Sequence, residues 1–139
     1  MRTLPAAALI LAFALPAAAA TCTGISAVGL GFGNYDVFAA LPDDTAGSLT
    51  YSCTASPAVT FGASVNGALN PRQMLRLFGG TDVLRYDVYF DAARTVPWSS
   101  APISLPAGNQ TIPFYGRIFP GQDVATGLYV DAITITLNF

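Results

Sequence analysis

The sequence has 139 residues and a formal net charge of −2, with 53% hydrophobic and only 10% charged residues. All six basic residues are Arg and all eight acidic residues are Asp; His, Lys and Glu are absent. This excludes the basic footprint of a nucleic-acid binder and the basic face that draws a protein to anionic lipid. It also removes the commonest general base and metal ligand. No catalytic, metal or cofactor-binding site is expected, and an enzyme is not expected.

In chain order, residues 1–20 come first. Arg2 precedes an apolar run from Leu4 to Leu15, Pro16 breaks it, and small residues follow from Ala17 to Ala20. This is the pattern of a secretory signal peptide, too short to span a bilayer. Cleavage after Ala20 leaves one domain, residues 21–139, with no integral membrane segment. Export places the chain in an oxidising compartment, where Cys22 and Cys53 are expected to pair. Closing that loop is worth about 3.5 kcal/mol in the chain-entropy account.

Thereafter the chain alternates in twos. Strands are expected over residues 25–32, 48–53, 59–65, 73–78, 84–90, 111–119 and 128–139. A short helical turn competes over residues 72–78. Asp131 alone breaks the apolar alternation of the last run. Turn signals separate the strands: Pro42-Asp43-Asp44, Ser56-Pro57, Asn66-Gly67, Asn70-Pro71, Gly79-Gly80, Pro106 to Asn109 and Pro120 to Asp123. Many short strands with frequent turns predict an all-β, immunoglobulin-like β-sandwich. The only Trp, Trp98, lies outside the Cys22–Cys53 interval, so the cysteine pattern of true immunoglobulin domains is absent.

Four segments carry a family resemblance. They are Leu30-Gly31-Phe32-Gly33-Asn34-Tyr35-Asp36; Leu49-Thr50-Tyr51-Ser52-Cys53; the run from Leu84 to Thr95 with Trp98 beyond it; and Tyr115-Gly116-Arg117-Ile118 followed by Pro120-Gly121-Gln122, Gly127, Tyr129 and Asp131. In order and spacing these resemble the spore coat protein U domain, a family that includes the pilin subunits of archaic chaperone–usher pili. Bottom-up, Gly31 and Gly33 are expected to let the backbone approach a neighbour while Phe32 fills the core. Asp91 and Arg94 are expected to pair locally across a turn. Arg117 is expected on an outward strand face.

The resemblance implies an incomplete sandwich whose missing strand comes from a partner. The implied partners are a periplasmic pilus chaperone, an outer-membrane usher and sibling pilin subunits. The implied location is the periplasm, then the cell surface, in adhesion or biofilm. Family pilins carry a donor arm before the first Cys. Here Cys22 follows the expected cleavage site almost directly, so a subunit that accepts a strand without donating one is expected, at a tip or terminal position. The alternative is a self-complete secreted spore-coat or cell-surface structural protein; an exposed apolar groove beside the last strand favours the pilin, a filled one the coat protein. Phe38 and Trp98 are candidate surface-facing loop tips for adhesion to apolar material.

Overall fold

The computed structural model describes residues 18–139. Most of the expected export signal, residues 1–17, lies outside the described residues. The described chain forms β1 (Cys22–Val28), β2 (Asp43–Cys53), β3 (Ala58–Phe61), β4 (Arg72–Arg76), β5 (Val83–Tyr89), β6 (Ile103–Ser104), β7 (Gly108–Ile118), β8 (Tyr129–Val130) and β9 (Ile135–Asn138). A six-stranded sheet runs β1-β2-β7-β5-β4-β8, and a three-stranded sheet runs β6-β3-β9. Every strand pairing among the described residues is antiparallel. Among the described residues there is no helix, so the turn that competed at residues 72–78 loses to β4. The expected all-β sandwich is the observed architecture, with sheets of unequal width.

The longest ladder joins β2 and β7, pairing Asp43 with Ile118 at one end and Cys53 with Gly108 at the other. It absorbs two stretches read as turns. Asp43 and Asp44 are strand residues because Asp44 meets Arg117 across the ladder. The guanidinium donates from Nε at 2.8 Å and from Nη2 at 2.9 Å. Gly108, with φ of 89°, bends the chain into β7. Pro113 lies inside β7, but β5 joins only from Tyr115 onward, so the missing N–H has no second strand to serve. At the Gly108 end, Cys22 faces Cys53 on the first rung between β1 and β2 and the two form the disulfide.

Two predicted strands end differently. Residues 29–32 leave the β1 ladder and lie over β7, where Leu30 and Phe32 press on Gly116. The run over residues 128–139 divides between sheets. Tyr129 and Val130 pair with β4, whereas Ile135 to Asn138 pair with β3. The crossing is fixed by Asp131. Its Oδ1 accepts from the Val65 and Ala132 N–H groups, each at 2.9 Å, and its Oδ2 accepts from the Tyr86 hydroxyl at 2.7 Å.

Trp98 is not a surface tip. It is fully buried. The Trp98 N–H donates to the Val88 carbonyl at 2.8 Å, and Phe90 N–H donates to Val96, so residues 96–98 return alongside β5 and turn the indole inward. The ring packs on Phe61 at 4.3 Å between centroids and meets Phe90 edge-on at 5.1 Å. Burying so large an aromatic is worth more than leaving it at a loop tip in water.

Beside it lies a buried ion pair that the sequence did not announce. Arg72 has no exposed side-chain surface and donates from Nη1 to Asp87 at 2.6 Å. Its remaining donors reach the carbonyls of Gly62 at 2.9 Å, Phe61 at 3.0 Å and Trp98 at 2.7 Å. One guanidinium thus ties β4 and β5 to the end of β3 and to the Trp98 segment. With four of its five N–H groups bonded and every nitrogen engaged, the fork offsets the cost of burying the charge.

Asp91 and Arg94 meet only through their main chains, Arg94 N–H donating to the Asp91 carbonyl at 3.0 Å, and form no ion pair. The Asp91 carboxylate instead accepts from the N–H groups of Thr95 and Val96, holding the loop. Arg94, at φ of 57°, reaches over the sheet to the carbonyls of Gly116 and Thr45 and to the Asp44 carboxylate at 3.3 Å. Arg117 faces outward, as expected, with 30% of its side chain exposed.

Candidate functional site

The unequal sheets leave part of the wide sheet's inner face uncovered. Two adjoining hollows of about 430 and 640 Å³ lie there. They share Leu30, Phe32, Met74 and Tyr129, so they form one groove. One wall is drawn from residues 27–38 and the other from residues 124–135. The floor carries Phe61, Met74, Leu84, Tyr86, Phe114 and Ile118, all members of the core.

The walls are built differently from the floor. Leu30, Phe32, Tyr129, Ile133 and Ile135 pack against the core yet stay only partly buried, as does Leu137 further along β9, past the groove lining. Beyond β9 the narrow sheet has no further strand among the described residues. Its hydrogen-bond phase is set by Gly62 N–H donating to the Thr134 carbonyl at 2.9 Å. By antiparallel alternation, Thr134, Thr136 and Asn138 turn their main-chain groups to β3, whereas Ile133, Ile135 and Leu137 turn theirs to the open edge. The same three residues point their side chains at the core, opposite the inward Val59 and Phe61. The open edge therefore presents unpaired main-chain groups beside an apolar floor, the geometry that accepts an added strand.

The far end of the groove is spliced shut. The Tyr35 hydroxyl donates to the Phe119 carbonyl at 3.1 Å and accepts from the Gln122 N–H at 3.0 Å. Gln122 acts as a surrogate strand residue for β5. Its Oε1 accepts from the Arg85 N–H at 2.7 Å and its Nε2 donates to the Arg85 carbonyl at 2.8 Å. Tyr35 and Gln122 both belong to the motifs singled out in the sequence, and these bonds give each a physical role. The close approach assigned to Gly31 and Gly33 occurs elsewhere. A Cβ at Gly31 would meet nothing, whereas one at Gly116 would lie 2.7 Å from both Leu30 and Phe32.

Charge is sparse in the groove. Asp131 lines it, and Tyr86 beside it has its hydroxyl pushed far above the ordinary phenol range, first by burial and then by its bond to Asp131. Burial also pushes Asp87 up, against the pull of the Val88 N–H and of Arg72. Among the described residues, no three His, Cys, Asp or Glu side chains gather to hold a metal. No helix among them is long and apolar enough to cross a membrane.

Phe38 sits in the loop before β2, 93% exposed, its N–H held by Asp36 Oδ1. Trp98 is remote from it in role, being part of the core. Sequence reading missed the groove's floor and both splices. The groove was expected from the family resemblance alone; Asp131, out of place in an apolar alternation, was the one residue of its lining that stood out by itself.

Comparisons with known proteins agree with this architecture. The chain is 32% identical to Protein U of Myxococcus xanthus, over 96% of this chain and 93% of that protein. Its fold is similar to a chain in the CsuC–CsuE chaperone–tip adhesion subunit pre-assembly complex, from the archaic chaperone–usher Csu pili of Acinetobacter baumannii. That likeness has a TM-score of 0.62 at 23% identity and covers 86% of this chain. The chain spans 40% of the length of that structure's chain. The Spore Coat Protein U domain model matches residues 8–136, nearly the whole sequence, and the chain belongs to that family.

Proposed function

We propose that this protein is a non-enzymatic structural subunit of a cell-surface fibre, completed by a strand from a partner. The observation that carries the reading is the open groove between residues 27–38 and 124–135, with β9 unpaired along it. A strand laid there would pair with Ile133, Ile135 and Leu137 through its main chain and would set alternate side chains against the floor. Spanning the full walls takes about a dozen residues at ~3.3 Å each. In the periplasm a pilus chaperone supplies the strand; at the outer-membrane usher a sibling subunit replaces it. The similar fold in a chaperone–tip adhesion subunit complex supports this assignment.

The proposal extends to position in the fibre. Thr21 N–H donates to Thr54 Oγ1, Thr54 N–H donates to the Thr21 carbonyl, and Cys22 is cross-linked. Residues from Thr21 onward are thus committed to the subunit's own sheet. Any donor arm must precede Thr21 in the mature chain. If cleavage falls after Ala20, as the small residues there suggest, no such arm precedes Thr21, which supports a tip or terminal position. Phe38 is then a loop tip available for adhesion and biofilm contacts.

The test is a thermal melt of the mature protein with and without a synthetic donor peptide of a sibling subunit. At one hundred times its dissociation constant the peptide adds about 2.7 kcal/mol of stability. A monomer equally stable in both cases ends the acceptor reading. That outcome favours a self-complete coat protein, which the full-length similarity to Protein U keeps as the second reading. The mass of the secreted chain tests the position: residues retained before Thr21, enough to span a groove, would remove the terminal assignment.

A further inference from the structure

The groove lining carries two carboxylates, neither with an ionic partner among the described residues: Asp36, in the loop before β2, and Asp131, beside the run that leads into β9. Asp131 begins the inward-facing series that continues through Ile133, Ile135 and Leu137. Its carboxylate is held by two main-chain N–H groups and the Tyr86 hydroxyl, all neutral donors. The buried cation of this region, Arg72, is already committed to Asp87 at 2.6 Å. While the groove is open, water reaches Asp131, which is only half-buried. An added strand would exclude that water and leave a carboxylate in an apolar seam, where an unpaired charge is costly.

Resting on the acceptor reading, we propose that Asp131 selects the incoming strand by charge and sets its register. The partner it fits is an extended segment with three alternate apolar side chains, opposite Leu137, Ile135 and Ile133. A basic side chain follows two residues beyond them, opposite Asp131. The apolar positions supply affinity and tolerate slippage by two. The basic residue does not, because a two-residue slip strands it against Ile133 and leaves Asp131 bare. The charge thus converts a permissive apolar slot into a site with one register.

The experiment uses the mature protein and synthetic peptides about twelve residues long, each with Val at three alternate positions. Lys, Gln or Asp stands two residues beyond, and each peptide is made in both sequence directions. In titrations at neutral pH and low salt, the Lys peptide is expected to bind about tenfold tighter than the Gln peptide, and the Asp peptide weakest. Added salt should narrow the Lys-to-Gln ratio. Asp131→Asn, which keeps the size of the side chain and an acceptor for the Val65 and Ala132 N–H groups, should bring the ratio close to one. Equal binding of the Lys and Gln peptides overturns the charge assignment and leaves the groove reading standing. So does a preference unchanged by salt, a readout that needs no variant to fold. If no peptide binds in either direction, the groove reading falls and the charge assignment with it.

Discussion

The two flanks of the sandwich solve the same problem in opposite ways. On the closed flank β3 and the Trp98 segment cover the wide sheet, and Val59, Phe61, Val88 and Trp98 have no exposed surface. Each nitrogen of the buried Arg72 fork that crosses between the sheets donates to an oxygen. On the open flank, β9 offers an equally apolar series, Ile133, Ile135 and Leu137, yet each remains partly exposed. The residues of the two flanks are alike in chemistry. The difference lies in strand count: the narrow sheet stops at β9. Apolar patterning therefore reports that a surface is meant to be covered, but not whether the cover belongs to the same chain.

If the closed flank holds the fold while the open flank awaits a partner, substitutions should divide along that line. The largest loss is expected for Trp98→Ala, about 4 kcal/mol, since it empties the centre of the closed core. Chemical denaturation should show it, and saturating donor peptide should not recover it. Asp87→Ala comes next, at about 3 kcal/mol, because it leaves the Arg72 guanidinium buried without its counter-charge. Pairing it with Arg72→Met should restore much of the loss; a double variant as unstable as the single one would mean the ion pair is not the cause.

Ile135→Ala should cost less in the free protein, about 1–2 kcal/mol, as its side chain is only half-buried. With donor peptide bound the cost should grow, because the same methyl groups are then enclosed. A cost independent of peptide would erase the distinction between the flanks.

The smallest effect concerns Asp44, which sits on neither flank's interior. Its hydrogen bonds from Arg117 hold its carboxyl below the usual 3.8, with the charges of Arg117 and Arg94 assisting against partial burial. A depressed folded value means the bond stabilises fully above the unfolded value and is lost as pH falls below 3.8 through the folded one. For a pair this exposed the contribution is below about 1 kcal/mol. Asp44→Asn should lower stability slightly at pH 6 and flatten the acid limb of the melt-versus-pH curve below pH 4. An unchanged acid limb would assign it to other carboxylates.

Much of the fold was legible because period-two alternation and turn residues act locally. The stretch Val59 to Phe61 and the core of β5 follow from them, while the disulfide follows from two cysteines behind an export signal. What resisted reading depended on partners distant in sequence. Asp43 and Asp44 look like a turn until Ile118 and Arg117 are placed opposite. Trp98 looks like a loop tip until residues 96–98 are seen to return along β5. The run from residue 128 to 139 reads as one strand because both of its halves have the same period, and periodicity carries no information on which sheet each half joins. Only Asp131 marked the crossing, and its meaning needed Tyr86 and Val65 beside it. The groove was expected only through the family resemblance, since nothing in a strand's own residues records a missing neighbour.

Gly116 deserves its place in the motif for an atom it lacks. Leu30 and Phe32 rest where its side chain would be, and both line the groove. The spacing between the two walls is thus gauged by a position that touches no incoming strand. A single added methyl there would lift the first wall from its bed and widen the slot. The width of the slot is thus open to change at this position alone, with every residue that lines it left as it was.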